Sequence, residues 1–493
     1  MKRQHPIALI RYTSKNFWLL LIPLLRGLFA LKFDFYSWLS GAYLDILVVL
    51  IILGAAFFRW WNVAFEAEEN GLMFHIGFFV NREFFVPYSA MTSLTAKHTF
   101  ILRPIKAVTI FIDTDTQSVM NKASDSDVKV VLKLNDYKQI CDKMPNRNLG
   151  AKLIYKASKG KLLFFSFVFS STLSSLIYFG TLLIQGGRLI GEELEERFIT
   201  AVNDVTKAAE RIIGGITPFT VAVIIVIGGG WLYSFIANYL RHINFKIQKC
   251  GESISVENGF FTKWEYFINS KKINYVDLQQ NLLMKIFSAM SVHVSCTGYG
   301  KQKNEIPVFV PITDKKSVAG VMKMFLPEYE PSRMEICPRW NYIMRFIGPA
   351  AAVIFLIIIA AFAGIMLLPG WYSVIFFLAI MGEIVSVHWL IVRLEAFYTN
   401  GIGMSDDGVG NINRGEGTVA IRYCHLFKFH YIIVQRDKIT AVEIKQTPFQ
   451  KMNDSCDLVF YIRSERVKSH RIRGLNLKDA EKMAGRLGYS VNC

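Results

Sequence analysis

Charged side chains set in otherwise apolar stretches are the first places to look for chemistry in this chain. Arg26, Asp45, Glu383 and His388 each sit in or beside such a stretch. A charge there costs about 2.5–3.5 kcal/mol on insertion scales, so it needs a partner or a purpose. Arg26 and Glu383 have opposite signs and make a candidate intramembrane polar contact between helices. A transporter or channel component is the alternative reading of the same charges. Glu383 and His388 fall about 140° apart round a helix and share no narrow face. The second set is basic. Arg463, Lys468, Arg471 and Arg473 form the densest run and read as candidate contacts to anionic lipid, each worth about 1 kcal/mol near a charged surface. No GxxxxGK[ST], HExxH or GxSxG motif can be read, and Asp406-Asp407-Gly408 lacks the Glu that closes a calcium loop. The seven cysteines are scattered without a CxxC pair, as reduced thiols are, rather than spaced as a disulfide or zinc framework. The sequence therefore predicts no enzyme, no cofactor and no metal site.

Composition says what must position these groups. The chain has 493 residues, net charge +17, 52% hydrophobic and 14% aromatic residues, and only 19% charged ones; soluble domains carry about 25%. That balance excludes a disordered or fibrous chain and speaks against nucleic acid as the partner of the basic excess. Crossing a bilayer takes about 20 apolar residues. The stretches 162–184, 212–240, 346–368 and 372–391 meet this, and 17–31 and 43–61 come near it with charges inside. The expected fold is an α+β integral membrane protein with six transmembrane helices in three hairpins. The hairpins occupy 1–61, 162–240 and 343–394, and the soluble stretches 62–150, 241–330 and 396–493 follow them. Each soluble stretch is basic, which puts all three, with both termini, on the cytoplasmic side of the cell membrane. In the loop 185–211, Leu194, Phe198, Val202, Val205, Ala209 and Ile212 make one apolar stripe. An amphipathic helix is expected there, lying on lipid or extending the next span.

The soluble stretches repeat one another. A shift of 182 residues superposes Met91 on Ile273, Leu94 on Val276, His98 on Gln280 and Arg103 on Lys285. A shift of 166 carries Ile273 to Ile439, Val276 to Val442, Gln280 to Gln446 and Lys285 to Lys451. Two ungapped matches at corresponding places mean a triplicated unit. Its texture is β: the runs 84–86, 107–112, 253–256, 266–268, 431–434, 441–444 and 458–462 are aromatic and β-branched and bounded by turn residues. A helix is predicted to close each unit, over 136–143, 314–325 and 477–487. Each unit is expected to be a small barrel or sandwich plugged by its helix.

The segments Gln279-Gln280-Asn281-Leu282-Leu283-Met284-Lys285 and Lys445-Gln446-Thr447-Pro448-Phe449-Gln450-Lys451 carry a resemblance. They are similar to a signature of bacterial membrane-associated pleckstrin-homology-like (type 2) proteins, in which a Gln begins a loop between two strands and apolar residues and a base follow. Gln280, Lys285, Gln446 and Lys451 are the candidate structural loop motif; in the first unit His98 replaces the Gln. The resemblance covers nearly the whole chain. It implies pleckstrin-homology-like (PH-like) domains behind each hairpin and a non-enzymatic scaffold making protein or anionic-lipid contacts. It also implies a hetero-oligomer with a smaller one-repeat relative and a setting in envelope maintenance or resistance to membrane-active peptides.

Overall fold

The computed structural model describes residues 2–15, 35–77, 81–114, 128–144, 153–169, 192–210, 218–299, 308–405, 417–464 and 468–489. The chain opens with β1 (Lys2–Arg3), α1 (Ala8–Lys15) and α2 (Phe35–Trp61). The first repeat is β2 (Val63–Ala67), β3 (Gly71–Ile76), β4 (Arg82–Pro87), β5 (Met91–Thr99), β6 (Ala107–Thr114), β7 (Val128–Lys133) and α3 (Leu134–Lys143). Then come β8 (Leu153–Lys156), α4 (Lys159–Val168), α5 (Glu192–Glu210) and α6 (Pro218–His242). The second repeat is β9 (Lys246–Cys250), β10 (Ser253–Asn258), β11 (Thr262–Asn269), β12 (Ile273–Asn281), α7 (Leu282–Ile286), β13 (Ala289–Cys296), β14 (Val308–Asp314) and α8 (Val318–Phe325). Two long helices, α9 (Ile343–Leu367) and α10 (Tyr372–Thr399), precede the third repeat. That repeat is β15 (Gly401–Ser405), β16 (Thr418–His425), β17 (Lys428–Gln435), β18 (Ile439–Lys445), α11 (Pro448–Met452), β19 (Ser455–Ile462), β20 (Lys468–Asn476) and α12 (Leu477–Arg486).

Each repeat thus has three strands, a 3-10 turn, three more strands and a closing helix, because its aromatic and β-branched runs favour strands and bury apolar side chains. In the first repeat Phe65, Leu72 and Phe74 of the early strands pack against Leu94, Ile110 and Ile112 of the later ones, with Tyr137 and Ile140 of α3 as the plug. In the third, Ile402, Val419 and Ile432 meet Leu458, Phe460 and Ile472, plugged by Ala480 and Met483 of α12.

The sheets do not respect the repeats. Their strand orders are β1-β2-β3-β4, β7-β6-β5-β11-β10-β9-β8, β14-β13-β12-β17-β16-β15 and β18-β19-β20. The late half of one repeat joins the early half of the next, through β5·β11 and β12·β17, both antiparallel. The chain divides accordingly into two compact units, one of 1–155, 246–272 and 296–306, the other of 156–245, 273–295 and 307–493.

The expected architecture of six transmembrane helices in three hairpins, each followed by its own barrel or sandwich, is corrected by the span count and by strands shared between repeats. Among the described residues, one helix, Trp340–Leu367, is long and apolar enough to cross a membrane. Its neighbour α10 is as long but carries Glu383, His388, Arg393 and Glu395. The span expected over 17–31, and most of that over 162–184, lie outside the described residues, where α4 covers only Lys159–Val168. Among the described residues the fold is α+β with its strands in four sheets. Strand periodicity misled about barrels for a plain reason: a period of two reports which face is buried, not which edge finds a partner.

Candidate membrane-facing turns

Between its fourth and fifth strands each repeat makes one helical turn: the 3-10 turn Phe100–Leu102, α7 and α11. Local sequence explains the turns. The residues that enter them are Thr99, Asn281 and Thr447, types that favour helix N-caps. Asn281 accepts from the Met284 amide at 2.8 Å, and Gln450 returns to the Thr447 amide at 2.8 Å with Pro448 as the first helical residue. The residue before the cap braces the turn. Gln280 Nε2 donates to the Ala289 carbonyl at 2.7 Å, and Gln446 Nε2 to that of Ser455 at 2.9 Å. His98 does otherwise: its ring meets Tyr137 edge-on, with Nε2 3.7 Å from Glu265. Ala289 and Ser455 are buried, so Gln280→Ala or Gln446→Ala should each cost about 1–3 kcal/mol by leaving a carbonyl unpaired. A His98→Ala chain should melt nearer the parent than either; equal melting midpoints for parent and both Gln variants would refute the brace.

The turns put large apolar side chains into solvent. Ile101 is 71% exposed, Leu283 41% and Phe449 80%, and these three occupy one equivalent position. Phe100, Ile286, Phe287 and Met452 extend the tips. Exposed apolar residues scattered singly mean little, but the same placement in three repeats marks each turn as a candidate interaction site. A base stands two residues after each: Arg103, Lys285 and Lys451. Lys285 reaches Glu395 near the end of α10 at 2.5 Å and lies 4.4 Å over the Phe429 ring; Lys451 is exposed. The turns also adjoin the ends of long apolar helices. Leu102 packs in a cluster with Trp60 of α2. The Tyr342 hydroxyl, at the entrance to α9, donates to the Asn453 carbonyl at 2.9 Å.

A buried carboxylate that sequence reasoning missed fixes α9 to the third repeat. Asp457 has no exposed side-chain surface and accepts from Arg471 Nε (2.9 Å), Arg345 Nη2 (2.9 Å), Gln450 Nε2 (2.9 Å) and the Gly474 amide (3.1 Å). Gly474 has φ 72°, and a Cβ there would meet Phe346 of α9 at 3.0 Å, so any side chain there is strained. The available signal was an acid inside the apolar run Cys456-Asp457-Leu458-Val459-Phe460. Arg471 and Arg473 alternate with buried His470 and Ile472, whereas Lys468 has the parity of the buried pair. Arg463 and Lys468 are exposed beside 465–467, which lie outside the described residues. Partial burial first, and then Arg393, Arg471 and Arg345, lower the pKa of Arg473. Asp457 acts the other way on Arg473, so guanidiniums cluster round this carboxylate at the foot of α9.

The second unit also holds buried titratable groups. His430 Nδ1 donates to Asp277 at 2.8 Å across β12·β17. Burial drives His293 down to about 3 and His470 down to about 4. Both are neutral when folded, yet titrate near 6.5 when unfolded. Below 6.5 the unfolded chain takes up protons the folded chain refuses, so stability present above that value is lost as pH falls towards 4, about 2 kcal/mol per histidine between pH 7 and 5. Burial alone would raise Asp277, but His430 with His293 and Gln279 together hold its pKa below the usual value; its contribution goes at still lower pH. The melting midpoint should therefore fall from pH 7 to pH 5. Buried His242, driven down to about 4, shares the effect, so a His242→Gln, His293→Gln, His470→Gln chain should lose most of that dependence, and a flat parent profile would contradict it.

Glu383 Oε1 is buried without a hydrogen-bond partner among the described residues, and Arg26 lies outside them. His388 stacks obliquely on Phe427, ring centroids 5.4 Å apart. In the stretch read as an amphipathic loop, α5 runs from Glu192 to Glu210 with Val202 and Thr206 buried and Val205 exposed. A cavity of about 260 Å³ is lined by Leu278, Gln280, Lys285, Arg422 and His430. Lys285 is engaged by Glu395, Arg422 by the Tyr431 ring and His430 by Asp277.

A family model described as Bacterial PH domain matches residues 20–140, 199–323 and 414–491. The UPF0699 transmembrane protein YdbT of Bacillus subtilis (strain 168) is 26% identical over 113 residues, which are 22% of this chain. The match spans 23% of that relative's length, about a quarter. No solved structure matches.

Proposed function

Because this chain belongs to the bacterial PH domain family, whose three matches cover more than half of its length, we propose that it is a non-enzymatic, membrane-associated scaffold. It presents PH-like repeats to the bilayer surface and to other proteins. The observation that carries this is the threefold recurrence of an exposed apolar tip beside a base: Ile101 with Arg103, Leu283 with Lys285, Phe449 with Lys451. Moving such a side chain out of water gains about 1.5–3 kcal/mol, and a base near anionic headgroups about 1 kcal/mol more. No stereospecific headgroup pocket is required. The apolar, outward-facing α9 and the transmembrane description of the Bacillus relative support membrane association. The basic excess favours the cytoplasmic leaflet. The family resemblance supplies the setting, envelope maintenance or resistance to membrane-active peptides with a one-repeat relative as partner.

Hydrogen exchange on the full chain tests the docking. Amides at 100–106, 282–288 and 448–453 should exchange more slowly in phosphatidylglycerol-containing nanodiscs than in amphipol, while the 3-10 turn Arg436–Lys438 is unchanged. Equal exchange at all three tips in both environments would remove the bilayer as their partner.

A further inference from the structure

Two joints of one design connect successive repeats. In every repeat a 3-10 turn of three residues separates the third strand from the fourth: Tyr88–Ala90, Ser270–Lys272 and Arg436–Lys438. Counted from that turn, the joints share one register. The fourth residue of the fourth strand faces the third-from-last residue of the third strand, Leu94 opposite Phe267 in one and Val276 opposite Ile433 in the other. Cross-strand pairs continue from there, Ala96 with Glu265 and Leu278 with Tyr431. The fourth strand also repeats its own shape: its register against the fifth slips between Met91 and Ser93 in the first repeat, and at the equivalent Ile439 and Ala441 in the third.

Two strands of this series are left over. Among the described residues β4 pairs with β3 and β18 with β19, and each is the end strand of its sheet. Burial registers the difference. The first six residues of β5 and of β12 are buried, whereas in β18 only Ile439 is. Phe85 on β4 is 42% exposed, where its counterpart Ile433 is buried. A row of unpaired amides and carbonyls at a sheet edge is a template for another strand, and the two internal joints say which strand fits.

We propose that β18 of one molecule pairs with β4 of a second copy, forming a third joint in the register of the first two. Ala441 then faces Val86, Val442 faces Phe85, Glu443 faces Phe84 and Ile444 faces Glu83. A second copy is the occupant because this chain carries both halves of the joint, each with the strand-turn-strand pattern that its own repeats already use. The contact is head-to-tail, so copies add in one direction into a ring or a line. It is weaker than the internal joints. Lys445 falls opposite Arg82, relieved only by Glu443, which contacts Lys445 at 3.2 Å and lies diagonal to Arg82. The assembly is therefore reversible and concentration-dependent. The inference stands on strand pairing alone and does not need the membrane-docking reading.

Disulfide trapping tests it with the full chain, purified in nanodiscs after its native cysteines are replaced. Facing residues of an antiparallel pair bring Cα atoms about 4.5–5.5 Å apart, within disulfide reach. Val442→Cys and Phe85→Cys chains, mixed and oxidised with copper phenanthroline, should give a reducible dimer far above either chain alone. The double variant should give a ladder. No dimer from the mixture overturns the joint, as does a double variant that closes only within one chain. An equal dimer from Val442→Cys alone would mean that β18 pairs with itself, which also overturns it.

Discussion

Replacing Asp457 with Ala should destabilise the second unit by about 2–3 kcal/mol, because it removes a fully buried carboxylate and leaves the buried Gly474 amide and Gln450 unpaired, while the partly exposed Arg345 and Arg471 keep some hydration. Arg345 and Arg471 both end on this carboxylate, Arg345 from α9 and Arg471 from β20, and the Gly474 amide and Gln450 complete its hydrogen bonds. The side chain has no exposed surface, so water cannot stand in for the lost oxygens without rearrangement. Arg345→Ala should cost less, since Arg471 and the neutral donors still satisfy Asp457. It should also loosen α9 from the repeat, read as faster exchange of the 453–457 amides with the rest of β19 protected. Thermal midpoints of the two variants within one degree of the parent would show that Asp457 does not hold the helix.

The second large effect concerns the tips. Changing Ile101, Leu283 and Phe449 together to Ser should lower their affinity for the bilayer by about 2 kcal/mol at each turn, roughly 30-fold per turn in the docked-to-free ratio. The chain should stay with the membrane, since these side chains are not part of α9, but the amides of the three turns should lose their nanodisc protection. Tethering keeps the effective lipid concentration high, so single substitutions should give partial losses and the triple variant a near-complete one. The folded state should tolerate the change because Ile101 and Phe449 are 71% and 80% exposed and Leu283 41%. Retained protection in a folded triple variant would assign the contact to something other than the tips.

Much of the repeat was readable in the residues. The helices predicted over 136–143 and 477–487 lie at α3 (Leu134–Lys143) and α12 (Leu477–Arg486), because capping and helical spacing are local. The Gln-to-base segment was visible as a pattern, and its N-cap chemistry at Asn281 and Thr447 is local too. The outward exposure of Phe449 was not, since an apolar residue in a loop looks the same whether it folds in or out. Arg471 and Arg463 read alike as surface bases. They part company only through Asp457, 14 residues from Arg471 and brought beside it by the β19·β20 hairpin. The joints were invisible for a deeper reason. Leu94 and Val276 announce a buried face, but the edge partners Phe267 and Ile433 lie in the following repeat. Counting apolar stretches likewise overstated the spans, because α10 matches α9 in length while carrying four charged or titratable residues.

The most direct test of membrane docking is a nitroxide on the third tip. With native cysteines replaced, Phe449→Cys and, as a control on an exposed 3-10 turn, Asp437→Cys are spin-labelled in the full chain and reconstituted into phosphatidylglycerol-containing vesicles. Power-saturation then compares collisions with oxygen, which concentrates in the acyl region, and with a polar nickel chelate, which stays in water. The label at 449 should favour oxygen strongly and the label at 437 should favour nickel. A label at 449 that meets the nickel chelate as freely as the control would contradict docking of these turns on the bilayer.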